Sequence, residues 1–365
     1  MLKARSVLSG IKRRAQVGNL KMTMAKISFS SIPVIDISPL LESRSTPKVQ
    51  ENSNTRRVIN EIDQACRNVG FFYVQGHGVP LDMMNQVRQL AHEFFTLSTD
   101  EKYKIKMSSA SGWRGYQRVG ENVTKGVSDM HEAIDFLQDY DGGDFPAFLH
   151  DHPLHGRNLW PETPTSFRPV CKEYLSAVQE AYCGKSCILA GGISLDLGKR
   201  IMQAISLALT GVHDSFEGSR AGSPFWLFRV IGYPPLERKI TEVGCGEHTD
   251  YGLLTLVNQD EGIRALQVKN QAGEWIWADP VPGTFVVNIG DMLKIWSNGL
   301  YMPTVHRVLN DNSKYRVSVP YFYEPNFDAL VKPLDSCKQV TGGESKFASV
   351  VYGEHLTKKV LNNFK

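Results

Sequence analysis

Gly246-Glu-His-Thr-Asp-Tyr-Gly-Leu-Leu-Thr-Leu256 places an imidazole and a carboxylate two residues apart, just ahead of an apolar run. Side chains alternate along an extended strand, so His248 and Asp250 are expected to point to one side. His306 follows fifty-six residues later, far enough for the chain to return on another strand of a rolled sheet. Two imidazoles and one carboxylate make a facial ligand set, which holds Fe(II) on one side and leaves the other side open. A lone His-x-Asp occurs by chance in many proteins. Joined to a distant His, and to Arg316-Val-Ser318 ten residues beyond that, the pattern is specific. Arg316 and Ser318 again share a strand face. A guanidinium fork beside a hydroxyl suits a carboxylate gripped at both oxygens.

Composition sets wider bounds. With 365 residues, 42% hydrophobic and 10% aromatic, the chain can bury a large core as one or two domains. No apolar run approaches the roughly 18 residues that span a bilayer. The net charge of +3 is uneven. Residues 1–30 hold seven basic side chains (Lys3, Arg5, Lys12, Arg13, Arg14, Lys21, Lys26) and no acidic one, which leaves −4 for the rest. The body therefore has no electrostatic reason to bind nucleic acid or acidic membrane. Six cysteines show no paired framework, and a reduced, cytoplasmic compartment fits. Cys183 and Cys187 lack the second Cys/His pair that structural zinc needs. The basic N-terminus reads either as an unstructured extension or as a transit peptide for plastid or mitochondrion.

Along the body, Ile32-Pro-Val-Ile-Asp-Ile37 is a short apolar strand. Thr55 to Val69 carries Val58, Ile59, Ile62, Ala65 and Cys66 at helical spacing. Phe71-Phe-Tyr-Val74 reads as a buried strand and Leu81 to Phe95 as a second helix. Val170 to Leu209 is helical but interrupted, because three glycines fall within Gly184-Lys-Ser-Cys-Ile-Leu-Ala-Gly-Gly192. From Pro224 onward, short β-rich runs alternate with turn residues, as a sandwich or barrel demands. His77 after its strand reads as a turn histidine, and His150, His152 and His155 as members of a loop. Trp275 and Trp277 read as packing residues on a sheet face, and Asp291 as a turn carboxylate.

Longer stretches carry a resemblance. Gly246 to Leu256, Asn288-Ile-Gly-Asp-Met-Leu-Lys-Ile-Trp-Ser-Asn-Gly299 and His306-Arg-Val308 resemble the plant 2-oxoglutarate/Fe(II)-dependent dioxygenases related to isopenicillin N synthase. Ile32 to Ile37, Gly70 to Val74 with Gly76-His-Gly-Val79, and Arg114-Gly-Tyr116 are similar to that family's N-terminal region. The likeness runs from about residue 31 to about 330. It implies a mainly β core with flanking helices, a double-stranded β-helix or jelly roll, and an α/β N-terminal region. The expected divisions are a basic extension over 1–30, the N-terminal region over 31–150, a helical connection over 151–222 with an insertion near 182–195, the core over 223–328, and a C-terminal segment over 329–365. The resemblance assigns Fe(II) to His248, Asp250 and His306, and 2-oxoglutarate to Arg316 and Ser318. It adds Tyr233, the tyrosine before Pro-Pro in Arg229-Val-Ile-Gly-Tyr-Pro-Pro235. The Asn common two residues earlier is Ile231 here. O2 is the other co-substrate, with ascorbate as a reductant, and the products include succinate and CO2.

Gly112 to Glu132 is expected to border the pocket, by family analogy. It carries Glu121, Asp129 and Glu132 beside Arg114 and Arg118. A pocket of both signs suits a small zwitterion. Arg229 is the candidate for a substrate carboxylate. Glu121, and after it Glu132, are the candidates for a cationic side chain. Any one of these charges reads equally as part of a solvated face. Within the family the chain most resembles a plant subgroup acting on homoarginine and arginine, where hydroxylation beside the guanidine leads to guanidine release. An ascorbate-dependent oxidase of related fold, a dioxygenase of a specialised plant metabolite and a non-catalytic cupin-like metal-binding regulator are the alternatives. The expected state is a monomer with a small-molecule substrate.

Overall fold

The computed structural model describes residues 28–42, 52–138, 152–179, 197–235, 243–310 and 313–363. Most of the basic extension expected over 1–30, and the insertion expected near 182–195, lie outside the described residues.

β1 (Val34–Asp36) and β2 (Phe71–Gln75) flank helix α1 (Ser53–Asn68). Asn52 starts α1 by accepting a hydrogen bond from Asn54 N at 2.9 Å. Val58, Ile59, Ile62, Ala65 and Cys66 are buried along one stripe of it, as their spacing predicts. The turn into β2 needs glycine. Gly70 has φ +73°, and a Cβ there would collide with Thr304 Oγ1 and the Met302 carbonyl oxygen. α2 (Leu81–Phe95) follows. Next come β3 (Gly115–Gln117), β4 (Val123–Thr124), β5 (Val127–Ser128) and β6 (Glu132–Leu137). α3 (Phe167–Val178) and α4 (Leu197–Thr210) occupy the two ends of the helical stretch read as interrupted.

The β-rich half supplies β7 (Trp226–Tyr233), β8 (Val243–His248), β9 (Leu254–Gln259), β10 (Leu266–Lys269), β11 (Trp275–Trp277) and β12 (Phe285–Ile289). Helix α5 (Asp291–Trp296), β13 (His306–Leu309), β14 (Arg316–Tyr323) and, nearer the C-terminus, helix α6 (Tyr352–Asn363) follow. Among the described residues, eight strands form one sheet in the order β1-β2-β12-β9-β14-β7-β6-β3, and β11-β10-β13-β8 form a second. Within the large sheet as described, only the β1–β2 neighbours run parallel.

The large sheet is covered on both faces. Phe72, Val74, Leu254, Leu256, Val317 and Val319 point to the helices, where they meet Val58, Ile62, Val87 and Phe94 in one core. The alternate residues Phe71, Tyr73, Val286, Ile231 and Tyr233 point to the small sheet, where they meet Leu266, Val268 and Val308 in a second core. Two layers, antiparallel except for the β1–β2 pair, with helices outside are the expected jelly roll, and β1–α1–β2 is its α/β N-terminal part. Strand alternation therefore sends Thr255, Gln259, Asn288, Arg316 and Ser318 into the space between the sheets.

Candidate active site

β8 and β13 pair so that His248 lies directly opposite His306. Their rings are 4.2 Å apart, centre to centre. β8 ends at His248, so Asp250 stands in the turn beyond the strand and not on the strand as the alternation rule expected. It still joins the pair, because the turn is held. Asp250 Oδ2 accepts hydrogen bonds from Asn288 Nδ2 at 2.6 Å and from Thr255 Oγ1, and the Asp250 carbonyl accepts from Asp291 N at 2.9 Å. Oδ1 is left 3.6 Å from His248 Nε2 and 3.6 Å from His306 Nε2.

These residues fit a divalent iron. Each Nδ1–H donates to a carbonyl, His248 to Gly246 at 2.7 Å and His306 to Thr304 at 3.1 Å, which turns each Nε2 lone pair toward the centre. Burial and the neighbouring His248 push the His306 imidazole down to about 4, so it is neutral, as a ligand must be. Burial acts the same way on His248, but the neighbouring Cys245 and Asp250 outweigh it and push that imidazole up to about 10. Burial alone would raise the Asp250 carboxyl. The two imidazoles outweigh it, aided by Asn288 and Thr255, and hold it below the usual range.

The anion clamp lies at one end of β14. Arg316 is 1% exposed and pairs across the sheet with Tyr233. Its guanidinium is 4.9 Å from the centre of the Tyr233 ring, and Nη2 donates to Gln259 Oε1 at 2.9 Å. Nε and Nη1 are buried with no acceptor among the described residues. Two orphan donors of one fork are what a carboxylate would satisfy. Ser318 shares the strand face, and the Tyr233 side chain interacts with it. Ile231, where the Asn was missing, is a buried core residue. Behind the clamp, Asp260 accepts from Val317 N at 2.7 Å and contacts His92 at 2.8 Å.

A cavity of about 480 Å³ opens onto the triad. Trp113, Asn122, Asp129 and His131 line it, so the 112–132 segment does border it, and Leu356, Lys359 and Val360 of α6 line it as well. Arg229 lines it too. Its Nε donates to Asp135 Oδ1 at 2.7 Å while its Nη2 is buried without an acceptor among the described residues. The two glutamates chosen from sequence do not line it. Glu121 is ion-paired with Arg118 at 3.1 Å on the surface. Glu132 is buried among Lys102 Nζ at 2.8 Å, Tyr116 at 2.5 Å and Tyr315 at 2.7 Å, so its charge is already matched. A third carboxylate, Glu324, does line the cavity, and burial pushes its carboxyl up to about 8. Sequence reading passed over it, as it did Thr255, Gln259 and Asn288; only the strand pairing brings these residues to the site.

The remaining candidates have structural places. His77 is bonded to Gly283 O at 3.0 Å and to Val79 N at 3.1 Å, as a turn histidine. His152 packs edge-on against Phe327, and His150 lies outside the described residues. Trp275 is stacked under Arg307 at 4.0 Å. Asp291 accepts from Thr249 Oγ1 at 3.3 Å in the first turn of α5. Cys66, Cys171, Cys245 and Cys337 are free.

Known proteins give the same reading. Residues 32–163 match the family described as non-haem dioxygenase in morphine synthesis N-terminal, and residues 224–325 match the 2OG-Fe(II) oxygenase superfamily. Over 341 residues the chain is 51% identical to homoarginine-6-hydroxylase 2-ODD-233 of Oryza sativa subsp. japonica, covering 92% of this chain and 98% of that one. Homoarginine-6-hydroxylase 2-ODD-C23 of Glycine max is 52% identical over 345 residues, with the same coverage of 92% and 98%. Among solved structures, a full-length Neurospora crassa protein in complex with alpha-KG and 5-formyluracil superposes with a TM-score of 0.71 at 26% identity, covering 91% of this chain and 96% of that chain. The cofactors follow: Fe(II), for which His248, Asp250 and His306 are the candidate ligands, with 2-oxoglutarate and O2 as co-substrates. The enzyme is a 2-oxoglutarate-dependent dioxygenase of the hydroxylase type. At half identity along nearly its whole length to two named hydroxylases, the chain belongs to the 2OG-Fe(II) oxygenase superfamily.

Proposed function

We propose that this oxygenase hydroxylates homoarginine, or arginine, at the carbon that bears the guanidino nitrogen, and that guanidine is then released. The observation that carries the reading is the half identity to the rice and soybean homoarginine-6-hydroxylases along 98% of their length. The cavity supports it, since it offers both a buried cation with an unused donor, Arg229 Nη2, and buried carboxylates.

Bound at the triad, iron with 2-oxoglutarate and O2 supplies the oxidising power that places one oxygen atom in a C–H bond, while 2-oxoglutarate leaves as succinate and CO2. The chain's part is placement. Asn288 and Thr255 fix Asp250, Arg316 and Ser318 hold the distal carboxylate of the co-substrate with Tyr233 beside them, and α6 covers the cavity. Arg229 takes the substrate's α-carboxylate. The product carries a hydroxyl and a guanidino nitrogen on one carbon. Loss of the hydroxyl proton to that nitrogen and cleavage of the C–N bond give an aldehyde and free guanidine. Ascorbate serves as a reductant that keeps the iron divalent. As the working unit we propose a monomer, and we propose the cytoplasm as its place, or a plastid or mitochondrion if residues 1–30 direct it there.

The experiment is a comparison of succinate formation by the Fe(II)-loaded protein with homoarginine, arginine, norleucine and a flavanone. Stimulation by the guanidino amino acids alone is expected. Equal stimulation by norleucine, or activity with the flavanone only, contradicts the proposal.

A further inference from the structure

Five acidic side chains line the cavity, and four of them are committed. Asp250 is the iron ligand. Asp129 accepts from Gly246 N at 2.8 Å and from Thr124 Oγ1 at 2.7 Å. Asp135 accepts from Arg229 Nε at 2.7 Å and Gln117 Nε2 at 3.2 Å. Glu247 sits near the surface between Lys269 at 3.6 Å and Arg307 at 3.9 Å. Glu324 differs from all four. It is 2% exposed, and its Oε2 has no hydrogen-bond donor among the described residues. The Tyr352 hydroxyl of α6 faces this carboxyl and favours its charged form through a weak hydrogen-bonding interaction, short of a full hydrogen bond, and no cation pairs with the carboxylate among the described residues. A buried carboxylate without a cation beside it is costly, because its hydration is lost and little replaces it.

The fold nevertheless reserves room for it. Gly252 lies against this carboxylate, and a Cβ there would collide with Oε2 and Cδ. Gly252 is two residues from Asp250, so the orphan oxygen abuts the turn that carries the iron ligand. Strand register places it further. Thr255, which bonds Asp250 Oδ2, pairs with Phe322 across β9 and β14. Glu324 is two residues past Phe322, roughly 7 Å along the strand direction. Arg316 stands at the opposite end of β14. Along β14, then, a guanidinium with unused donors stands at one end, and a carboxylate that no cation has claimed stands just past the other, beside the Asp250 turn.

A substrate oxidised at the carbon beside its guanidinium has its cation one bond from the reacting atom. That carbon must reach the iron, so the cation needs a buried carboxylate close to the triad that no other cation has claimed. We propose that Glu324 pairs with the guanidinium of the substrate, in the role that sequence reading gave to Glu121 or Glu132. This rests on the reading of a guanidino amino acid as substrate. Glu324 then sets specificity by charge, while Arg229 Nη2 receives the other end of the molecule.

The test compares kcat/KM for homoarginine with that for homocitrulline, its uncharged urea isostere, in the wild-type protein, in Glu324→Gln and in Glu324→Asp. The wild-type protein is expected to prefer homoarginine by tenfold or more, on the order of what a charge-assisted hydrogen bond gives. Glu324→Gln should bring that ratio toward one, chiefly by raising KM for homoarginine, and Glu324→Asp should leave it intermediate. A wild-type protein that uses both substrates equally overturns the pairing, and so does a ratio unchanged in Glu324→Gln. Should Glu324→Gln not fold, a ratio unchanged in Glu324→Asp overturns it. The two readings fail separately. No stimulation of the wild-type protein by homoarginine or arginine defeats the substrate reading and the pairing with it, whereas good activity with an unmoved ratio defeats the pairing alone.

Discussion

Asp250 can serve iron with one oxygen because Asn288 and Thr255 occupy the other. Its partners therefore tune the metal without touching it. Asn288→Ala is expected to weaken Fe(II) binding about tenfold to a hundredfold, the usual size of an outer-shell effect, with the fold kept; equilibrium Fe(II) titration reads this, and an unchanged affinity contradicts it. Arg316→Ala should weaken 2-oxoglutarate binding by a similar factor, because a charge-assisted contact is worth roughly 1.5–3 kcal/mol. Arg316→Lys should recover only part, since an ammonium cannot reproduce the fork. Equal 2-oxoglutarate affinity in all three proteins removes Arg316 from this role. At this scale the sequence was legible where chemistry is packed into short motifs: His248, Asp250 and His306 come together in space, and Arg316 and Ser318 share one face of β14. It was not legible for charges taken one at a time. Glu121, Glu132 and Glu324 look alike in a string of letters, and what separates them is the partner each has in three dimensions.

Strand alternation explains why elements present these residues as they do. β14 sends Val317 and Val319 to the helix side, and Arg316 and Ser318 to the space between the sheets. The same rule misplaced Asp250, which lies past the end of β8, and there side-chain hydrogen bonds take over from the strand in fixing its position. α1, β2 and α2 were readable from apolar spacing, because a helix stripe and a buried strand leave different periods. The turn joining α1 to β2 is the sharpest local requirement. Gly70→Val should destabilise the protein by about 1–3 kcal/mol or more, since it combines positive φ with a clash against Thr304 and the Met302 carbonyl. Urea unfolding measures it, and wild-type stability in this variant contradicts the requirement.

At the scale of the whole molecule, two cores share one large sheet: the helices cover one face, and the small sheet covers the other. The candidate site sits at the edge of the second core, where β8 and β13 bring two histidines together. Sequence reached this architecture through resemblance as well as periodicity, because pairing between strands as distant as β2 and β12 leaves no local trace. The central claim, that this architecture oxidises a guanidino amino acid beside its guanidinium, is most directly tested by measuring succinate and free guanidine together. The Fe(II)-loaded protein, given homoarginine, 2-oxoglutarate and O2, should produce the two in equal amounts, and Asp250→Ala should produce neither. Succinate formed without guanidine, or guanidine formed without 2-oxoglutarate, would contradict it.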